Sequence, residues 1–154
     1  MPSDRVLRLL ESTVGQLEAA GIPDEALATL KLSRFAAPKL VKAGRAWRLG
    51  VLLLDRDLRL YEAGEVTRAI EPQRGVANKS AEAEARREMR RAATRGRFPE
   101  GEVVNFGFQP IDLETGSGPI EIRDGLAHIH WRVGAPLLPL DAYLAERLDL
   151  ARGD

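Results

Sequence analysis

The sequence predicts an α+β fold in which an antiparallel sheet of about five strands carries about three packed helices. Three observations predict this class: apolar residues at helical spacing near the N-terminus, apolar strand-like runs in the middle of the chain, and a two-residue turn between alternating segments near position 124. The chain has 154 residues, of which 44% are hydrophobic and 30% charged, so it is predicted to form a single domain over residues 1–154.

Four segments carry helical signals. Ser3 can cap the first helix, and Gly21 can end it in the left-handed conformation. Asp141 is expected to cap the last helix and Gly153 to end it. The predicted helices span residues 3–20, 23–32, 80–95 and 141–151. The third helix carries a stripe of mostly small residues that would let it lie close to a sheet, namely Ala81, Ala85, Met89 and Ala92.

Apolar runs and alternating segments predict the strands. The run 51–54 lacks alternation, which indicates a central strand buried on both faces. The first three strands are expected to form an antiparallel meander, and residues 35–46 are expected to be irregular. The predicted strands span residues 48–55, 58–63, 65–70 and 103–108, with a hairpin at 119–133.

The pair Asp124-Gly125 predicts a two-residue hairpin turn, because both central positions of such a turn must adopt positive φ. This turn fixes the register of the two strands, so that the apolar pairs share one face and the polar pair lies on the other. The expected pairs are Ile122 with Ala127, Glu121 with His128, and Ile120 with Ile129.

Composition excludes several classes of function. The chain has no cysteine, which rules out disulfides, thiol catalysis and cysteine-ligated metal centres and fits a reducing cytoplasm. The net charge is zero, so no overall field attracts nucleic acid or acidic lipid. Charges interrupt the N-terminal segment, and the apolar run 49–54 is far shorter than the roughly 20 residues of a membrane helix. Neither a secretory signal nor a membrane span is therefore expected.

Positive charge is concentrated in residues 79–97, where seven basic residues stand against three acidic ones. The net charge of this segment is +4, against −4 for the rest of the chain. Its arginines recur every fourth residue and could bind phosphate oxygens. The alternative is a solvated face on which Glu82 pairs with Arg86 and Glu84 with Arg87. No aromatic residue interleaves the run, so nucleic-acid binding is the less favoured alternative. The candidate anion-binding or nucleic-acid-binding residues are Lys79, Arg87, Arg91 and Arg95.

The two histidines of the chain, His128 and His130, are expected on the same side of one strand. With Glu121 across the hairpin and Arg132 further on, they form a candidate ligand-binding or enzymatic face. Two histidines are too few for a closed zinc site, so no metal and no cofactor are expected. The alternative is a plain polar face with a cross-strand pair between Glu121 and His128.

Known catalytic patterns fail at decisive positions. A phosphate-binding loop before residue 80 would need glycines where the chain has Gln73 and Asn78. The motif Arg87-Glu88-Met89 resembles part of the Nudix hydrolase box, yet Arg91 and Ala92 stand where that family has metal-binding glutamates. The resemblance therefore implies no hydrolase activity, because an arginine repels the Mg²⁺ ion.

The sequence favours a cytoplasmic protein that acts by self-association, as a homo-oligomer, or by binding a protein partner. It leaves open whether the protein is an enzyme. One alternative is a small-ligand-dependent or metal-dependent enzyme that uses the face of His128 and His130, and another is a nucleic-acid-binding protein that uses the helix 80–95.

Overall fold

We describe a computed structural model of the chain, which covers residues 1–72 and 80–153. The helices are α1 (Asp4–Ala19), α2 (Ala81–Arg95) and α3 (Leu140–Arg152). The strands are β1 (Glu25–Lys31), β2 (Lys39–Leu49), β3 (Leu52–Leu54), β4 (Leu60–Glu62), β5 (Glu65–Arg68), β6 (Val103–Phe106), β7 (Gln109–Pro110), β8 (Ile120–Arg123), β9 (Leu126–Ile129) and β10 (Leu138–Pro139).

These elements belong to two compact units. The first unit holds Met1–Asp24, Ala46–Ala63 and the described residues from Gln109 onward. The second unit holds Glu25–Arg45 and the described part of Gly64–Phe108. The sequence predicts that both units belong to one domain, and this stays a prediction.

The strands form a seven-stranded sheet in the order β5-β6-β1-β2-β3-β4-β7 and a three-stranded sheet in the order β10-β9-β8. The larger sheet is mixed, because β1 pairs with β6 in parallel while β5 pairs with β6 in antiparallel orientation. The prediction of an antiparallel sheet of about five strands was therefore wrong in strand number and in direction. The α+β class, with three helices among the described residues, is confirmed.

In the first unit, α1 begins and ends as its capping residues predict. The side chain of Ser3 accepts a hydrogen bond from the amide of Val6 at 3.3 Å. Gly21 has a φ of +65° and donates to the carbonyl oxygen of Glu18, while Ile22 donates to that of Leu17. This is the paired hydrogen-bond pattern of a left-handed helix terminus, which glycine adopts without steric strain.

A tight turn at Gly50 separates β2 from β3, so the predicted strand 48–55 was wrong as one continuous strand, although its residues 52–54 are confirmed as strand β3. Part of the predicted irregular segment 35–46 belongs to β2. Gly50 has a φ of +67°, and an added Cβ would lie 2.2 Å from the Tyr143 hydroxyl. That hydroxyl donates to the carbonyl oxygen of Leu49 at 2.8 Å and accepts from the amide of Val51 at 3.0 Å. Tyr143 of α3 thereby fixes the turn through its hydroxyl group. The burial of β3 on both faces is confirmed.

The core of the first unit lies between α1, α3 and the strands of both its sheets. It contains Trp47, which is 1% exposed and donates from its indole nitrogen to the carbonyl oxygen of Ile22 at 2.9 Å. The helix α3 begins after Pro139, with Asp141 in its first turn, so the prediction of Asp141 as N-cap was wrong. Its predicted end at Gly153 is confirmed, with φ at +80°.

The hairpin β8–β9 has the predicted register. Its turn residues Asp124 and Gly125 have φ values of +51° and +76°, as a two-residue turn of this type requires. The observed pairs are those expected: Ile122 with Ala127, Glu121 with His128, and Ile120 with Ile129.

In the second unit, the predicted helix 23–32 was wrong, because this segment forms β1. Its alternate residues Ala26, Ala28 and Leu30 join the hydrophobic cluster that also holds Ala92 and Ala93, and its backbone pairs with β6. Non-local pairing here overrides the helical preference of alanine and leucine. The predicted meander was also wrong in part, since β5 pairs with β6 rather than with β4.

Within the second unit, the helix α2 contributes mainly alanines to the core. Ala83, Ala92 and Ala93 are its buried residues, and Met89 packs against the same core. The predicted stripe is thus confirmed at Ala92 and Met89, whereas Ala81 and Ala85 are exposed. The predicted N-terminus of α2 is confirmed, because the Ser80 side chain accepts from the amide of Ala83 at 3.1 Å.

Candidate functional site

The arginine ladder, formed by Arg87, Arg91 and Arg95 on α2, is paired with two glutamates of the same helix. Glu84 accepts hydrogen bonds from Arg87 at 2.9 Å and from Arg91 at 3.1 Å. Glu88 accepts from Arg91 at 3.2 Å and from Arg95 at 3.0 Å. The predicted pair of Glu84 with Arg87 is confirmed, and a phosphate group on this ladder would have to compete with both carboxylates.

These hydrogen bonds hold the pKa of both carboxyl groups below the ordinary value of glutamate. The main cause at Glu84 is the hydrogen bond from Arg87, and at Glu88 it is the hydrogen bond from Arg95. Both acids are therefore ionised at neutral pH and oppose a further anion. Nucleic-acid binding by this helix stays a prediction, and its fourth candidate residue, Lys79, lies outside the described residues.

The hairpin β8–β9 brings Glu121 into contact with His130. The Oε2 atom of Glu121 lies 2.7 Å from Nε2 of His130, and its Oε1 atom accepts from Nε of Arg123 at 2.8 Å. Both contacts lower the pKa of Glu121, that of Arg123 most. The Nδ1 atom of His128 lies 3.1 Å from the carbonyl oxygen of Leu126. Because a carbonyl oxygen can only accept, this nitrogen carries the hydrogen.

The remaining candidate on this face, Arg132, places its guanidinium 4.6 Å from the ring centre of Trp131. Over the described ranges 1–72 and 80–153, no cluster of three or more histidine or acidic side chains is arranged to hold a metal ion. Although Glu121 lies opposite His128 in the backbone register, its side chain bonds to His130. The small-ligand and enzyme hypotheses for this face stay predictions.

A groove of about 520 Å³ lies between β5 and α2 in the second unit. Met89 and Phe106 supply apolar lining, and Arg86 and Arg90 lie on the helix side. In the part of the chain that the structure describes, neither of these two arginines has an ion-pair partner within 4 Å, so the predicted pair of Glu82 with Arg86 was wrong. The charged residues that line the groove are Arg68, Arg86, Arg90, Glu65 and Glu82, three bases against two acids.

The groove runs beside β5, which is the end strand of the larger sheet among the described residues. The amide of Ala69 donates to the carbonyl oxygen of Glu102 at 3.0 Å, which continues the β5–β6 register by one pair. Hydrogen-bonded and non-hydrogen-bonded pairs alternate along an antiparallel ladder. The amides of Glu65 and Thr67 therefore point toward β6, and those of Val66 and Arg68 point toward the open edge.

A second cavity of about 530 Å³ lies in the first unit, between the start of α1, the β8–β9 turn and the start of α3. Arg5 and Arg8 of α1 line it together with His128, the one residue that it shares with the predicted histidine face. Apolar lining comes from residues such as Leu9 and Ala127. The cavity combines cationic and apolar side chains, as a small-molecule site requires.

Both of these regions were missed in the sequence. Arg5 and Arg8 look like ordinary charges on the polar side of an amphipathic helix, and nothing local shows that a hairpin turn lies beside them. Val66 was assigned to a strand, but strand order decides whether that strand has an open edge. The available signal was the position of Arg5 in the first turn of α1, where cations are disfavoured.

The fold and these sites define an α+β protein of two compact units, with a cavity of about 530 Å³ in the first and a groove of about 520 Å³ in the second. No protein-family model, no curated protein and no solved structure matches the chain. Within residues 1–72 and 80–153, no helix combines the length and the apolar character needed to cross a bilayer.

Proposed function

We propose that the protein works by binding a partner protein, an extended segment of which adds as a strand to β5. The observation that carries this proposal is the open edge of β5, where the amides of Val66 and Arg68 face outward beside the groove. An added strand would pair with this edge through its backbone, and its alternate side chains would enter the groove. A cytoplasmic location is part of the proposal and is supported by the absence of cysteine.

The groove favours a segment in which acidic and apolar side chains alternate. Arg86 and Arg90 offer guanidinium groups without ion-pair partners among the described residues, while Met89 and Phe106 offer apolar contact. Val66, which is 46% exposed, would be covered by the added strand. Charge would mainly set the choice of partner, and backbone pairing would supply affinity.

The test is a titration of the protein, followed by NMR, with a short synthetic peptide in which glutamate alternates with valine and both ends are blocked. We expect chemical-shift changes and slowed amide exchange at Val66 and Arg68. The double variant Arg86→Ala and Arg90→Ala should weaken binding by about twofold to tenfold, since exposed charge pairs contribute about 0.2–1 kcal/mol each. The matched control, Arg87→Ala with Arg91→Ala on the ladder, should bind as the wild type does.

Backbone pairing is tested separately by Val66→Pro. The Val66 amide points away from β6, so its loss should abolish peptide binding while the second unit stays folded. Thr67→Pro, one position on, should unfold the strand because that amide belongs to the ladder. A peptide that binds Val66→Pro as well as the wild type would contradict the proposal. Sedimentation of the free protein as a dimer that Val66→Pro dissociates would identify a second copy as the occupant.

A further inference from the structure

The cavity of the first unit has the size of a small-molecule site, at about 530 Å³. Two helices and a hairpin turn contribute to its wall, so it does not depend on a single flexible segment. The lining that matters here consists of Arg5, Val6, Arg8, Leu9, Ala127 and His128. Val6 is 4% exposed and belongs to the core of the unit, which gives the cavity an apolar floor on a packed element.

Arg5 and Arg8 are the two arginines of the cavity wall. Neither has an ion-pair partner within 4 Å in the part of the chain that the structure describes, although Asp4 and Glu11 are close in sequence to Arg8. Arg5 lies in the first turn of α1, where the helix dipole disfavours positive charge, and Arg8 lies one turn further on. An unpaired cation in the first turn of a helix lowers its stability, and an anionic ligand would offset that loss.

The other polar groups of the wall are already engaged with the backbone. Nδ1 of His128 donates to the carbonyl oxygen of Leu126 at 3.1 Å. Asp141 accepts from the amide of Ala142 at 2.8 Å, within the first turn of α3. With Arg5 and Arg8 against Asp141, the ionised side chains of the wall sum to +1 when His128 is neutral. The wall therefore matches a ligand with a single negative charge.

We propose that this cavity binds a small amphipathic carboxylate, with its carboxylate between Arg5 and Arg8 and its apolar body against Val6, Leu9 and Ala127. Guanidinium groups bind carboxylate oxygens in paired hydrogen bonds, which fixes the orientation of the head group. Burial of the apolar body adds a hydrophobic contribution to the affinity, which the head group alone would lack. This site does not depend on the groove beside β5.

The test uses three probes, followed by NMR chemical shifts at concentrations below micelle formation. Decanoate carries both features, acetate carries the head group alone, and decyltrimethylammonium carries the same tail with the opposite charge. We expect decanoate to shift residues of α1 and of the β8–β9 turn, and the other two probes to bind there at least tenfold more weakly. Equal binding of decanoate and decyltrimethylammonium would overturn the proposal, because it would show adsorption of the tail alone.

The double variant Arg5→Gln and Arg8→Gln removes both charges and keeps good helix formers, so α1 should remain folded. Its affinity for decanoate should fall at least tenfold. The matched control is Arg132→Gln, which removes an exposed cation of the predicted histidine face outside the cavity and should leave affinity unchanged. Unchanged binding by the double variant, or loss of binding in the Arg132 control alone, would place the ligand elsewhere and refute the assignment.

Discussion

The two units differ in what fills their cores. The first unit buries bulky side chains such as Trp47, Leu54 and Tyr143, whereas the core of the second holds five alanines beside four larger residues. Large side chains remove more apolar surface from water, so burial stabilises the first unit more per residue. Alanines instead allow backbones to approach closely, and at Gly96 an added Cβ would lie 1.9 Å from the carbonyl oxygen of Leu40.

The two cavities extend this comparison. Their volumes are nearly equal, about 530 Å³ in the first unit and about 520 Å³ in the second. The groove of the second unit lies along a strand edge with outward amides at Val66 and Arg68. The cavity of the first unit instead presents the unpaired side chains of Arg5 and Arg8 over an apolar floor. Similar volumes can therefore suit different ligands, an extended peptide in one unit and a small carboxylate in the other.

The largest expected effect is the loss of a bulky side chain from the first core. Leu54 is 0% exposed, so Leu54→Ala should lower the free energy of unfolding by about 2–5 kcal/mol, because it removes apolar contacts and leaves a cavity. Urea unfolding measures this change. Leu150→Ala, at a position 57% exposed on α3, is the control and should change stability by about 0.5 kcal/mol at most.

The second core should respond to enlargement instead. Ala92 is 0% exposed where α2 packs in its unit, so Ala92→Leu should lower the free energy of unfolding by about 1–3 kcal/mol. Ala85 lies on the same helix and is exposed, so Ala85→Leu is the matched control and should be close to neutral. If Ala92→Leu were as stable as the wild type, α2 would not lie as close to its neighbours as described.

Much of the first unit could be predicted because its signals are local. Ser3 and Gly21 mark the ends of α1 within a few residues, and Asp124-Gly125 alone fixes the register of a hairpin. The strand β1 could not be predicted, since its alanines and leucines favour a helix and its pairing with β6 joins segments distant in sequence. The cavity and the groove were missed for the same reason, because each depends on elements that only the fold brings together.

In α1 we expect a smaller effect of opposite sign, a gain in the free energy of unfolding. Without ligand, Arg5→Gln with Arg8→Gln should raise the free energy of unfolding by about 0.3–1 kcal/mol at low ionic strength, because the cation at Arg5 leaves the first turn of the helix. Thermal unfolding measures the gain, and added salt should reduce it. Arg152→Gln is the control at the other end of a helix, in the last turn of α3, and should be destabilising. A loss of stability in the double variant would mean that these arginines serve the fold.

The smallest effect concerns the ion pairs of α2. The pKa of Glu84 and of Glu88 is lowered in the folded state, chiefly by hydrogen bonds from Arg87 and Arg95 respectively. Their contribution to stability is therefore complete above the unfolded-state pKa of about 4.3 and is lost as the pH falls through the lower folded-state values. The variant Glu84→Gln with Glu88→Gln should lack this part of the acid-induced loss. Urea unfolding between about pH 5 and about pH 3 measures how steeply the free energy of unfolding falls with pH, in the variant and in the wild type.

This measurement bears directly on how α2 is held in place. Exposed ion pairs contribute little because solvent screens them, so the difference in slope should be small and should shrink further in high salt. A measurable difference would mean that ion pairs support a helix whose own core contacts come mainly from alanines. Identical slopes would mean that close packing at Ala92 and Ala93 suffices to hold α2 in place.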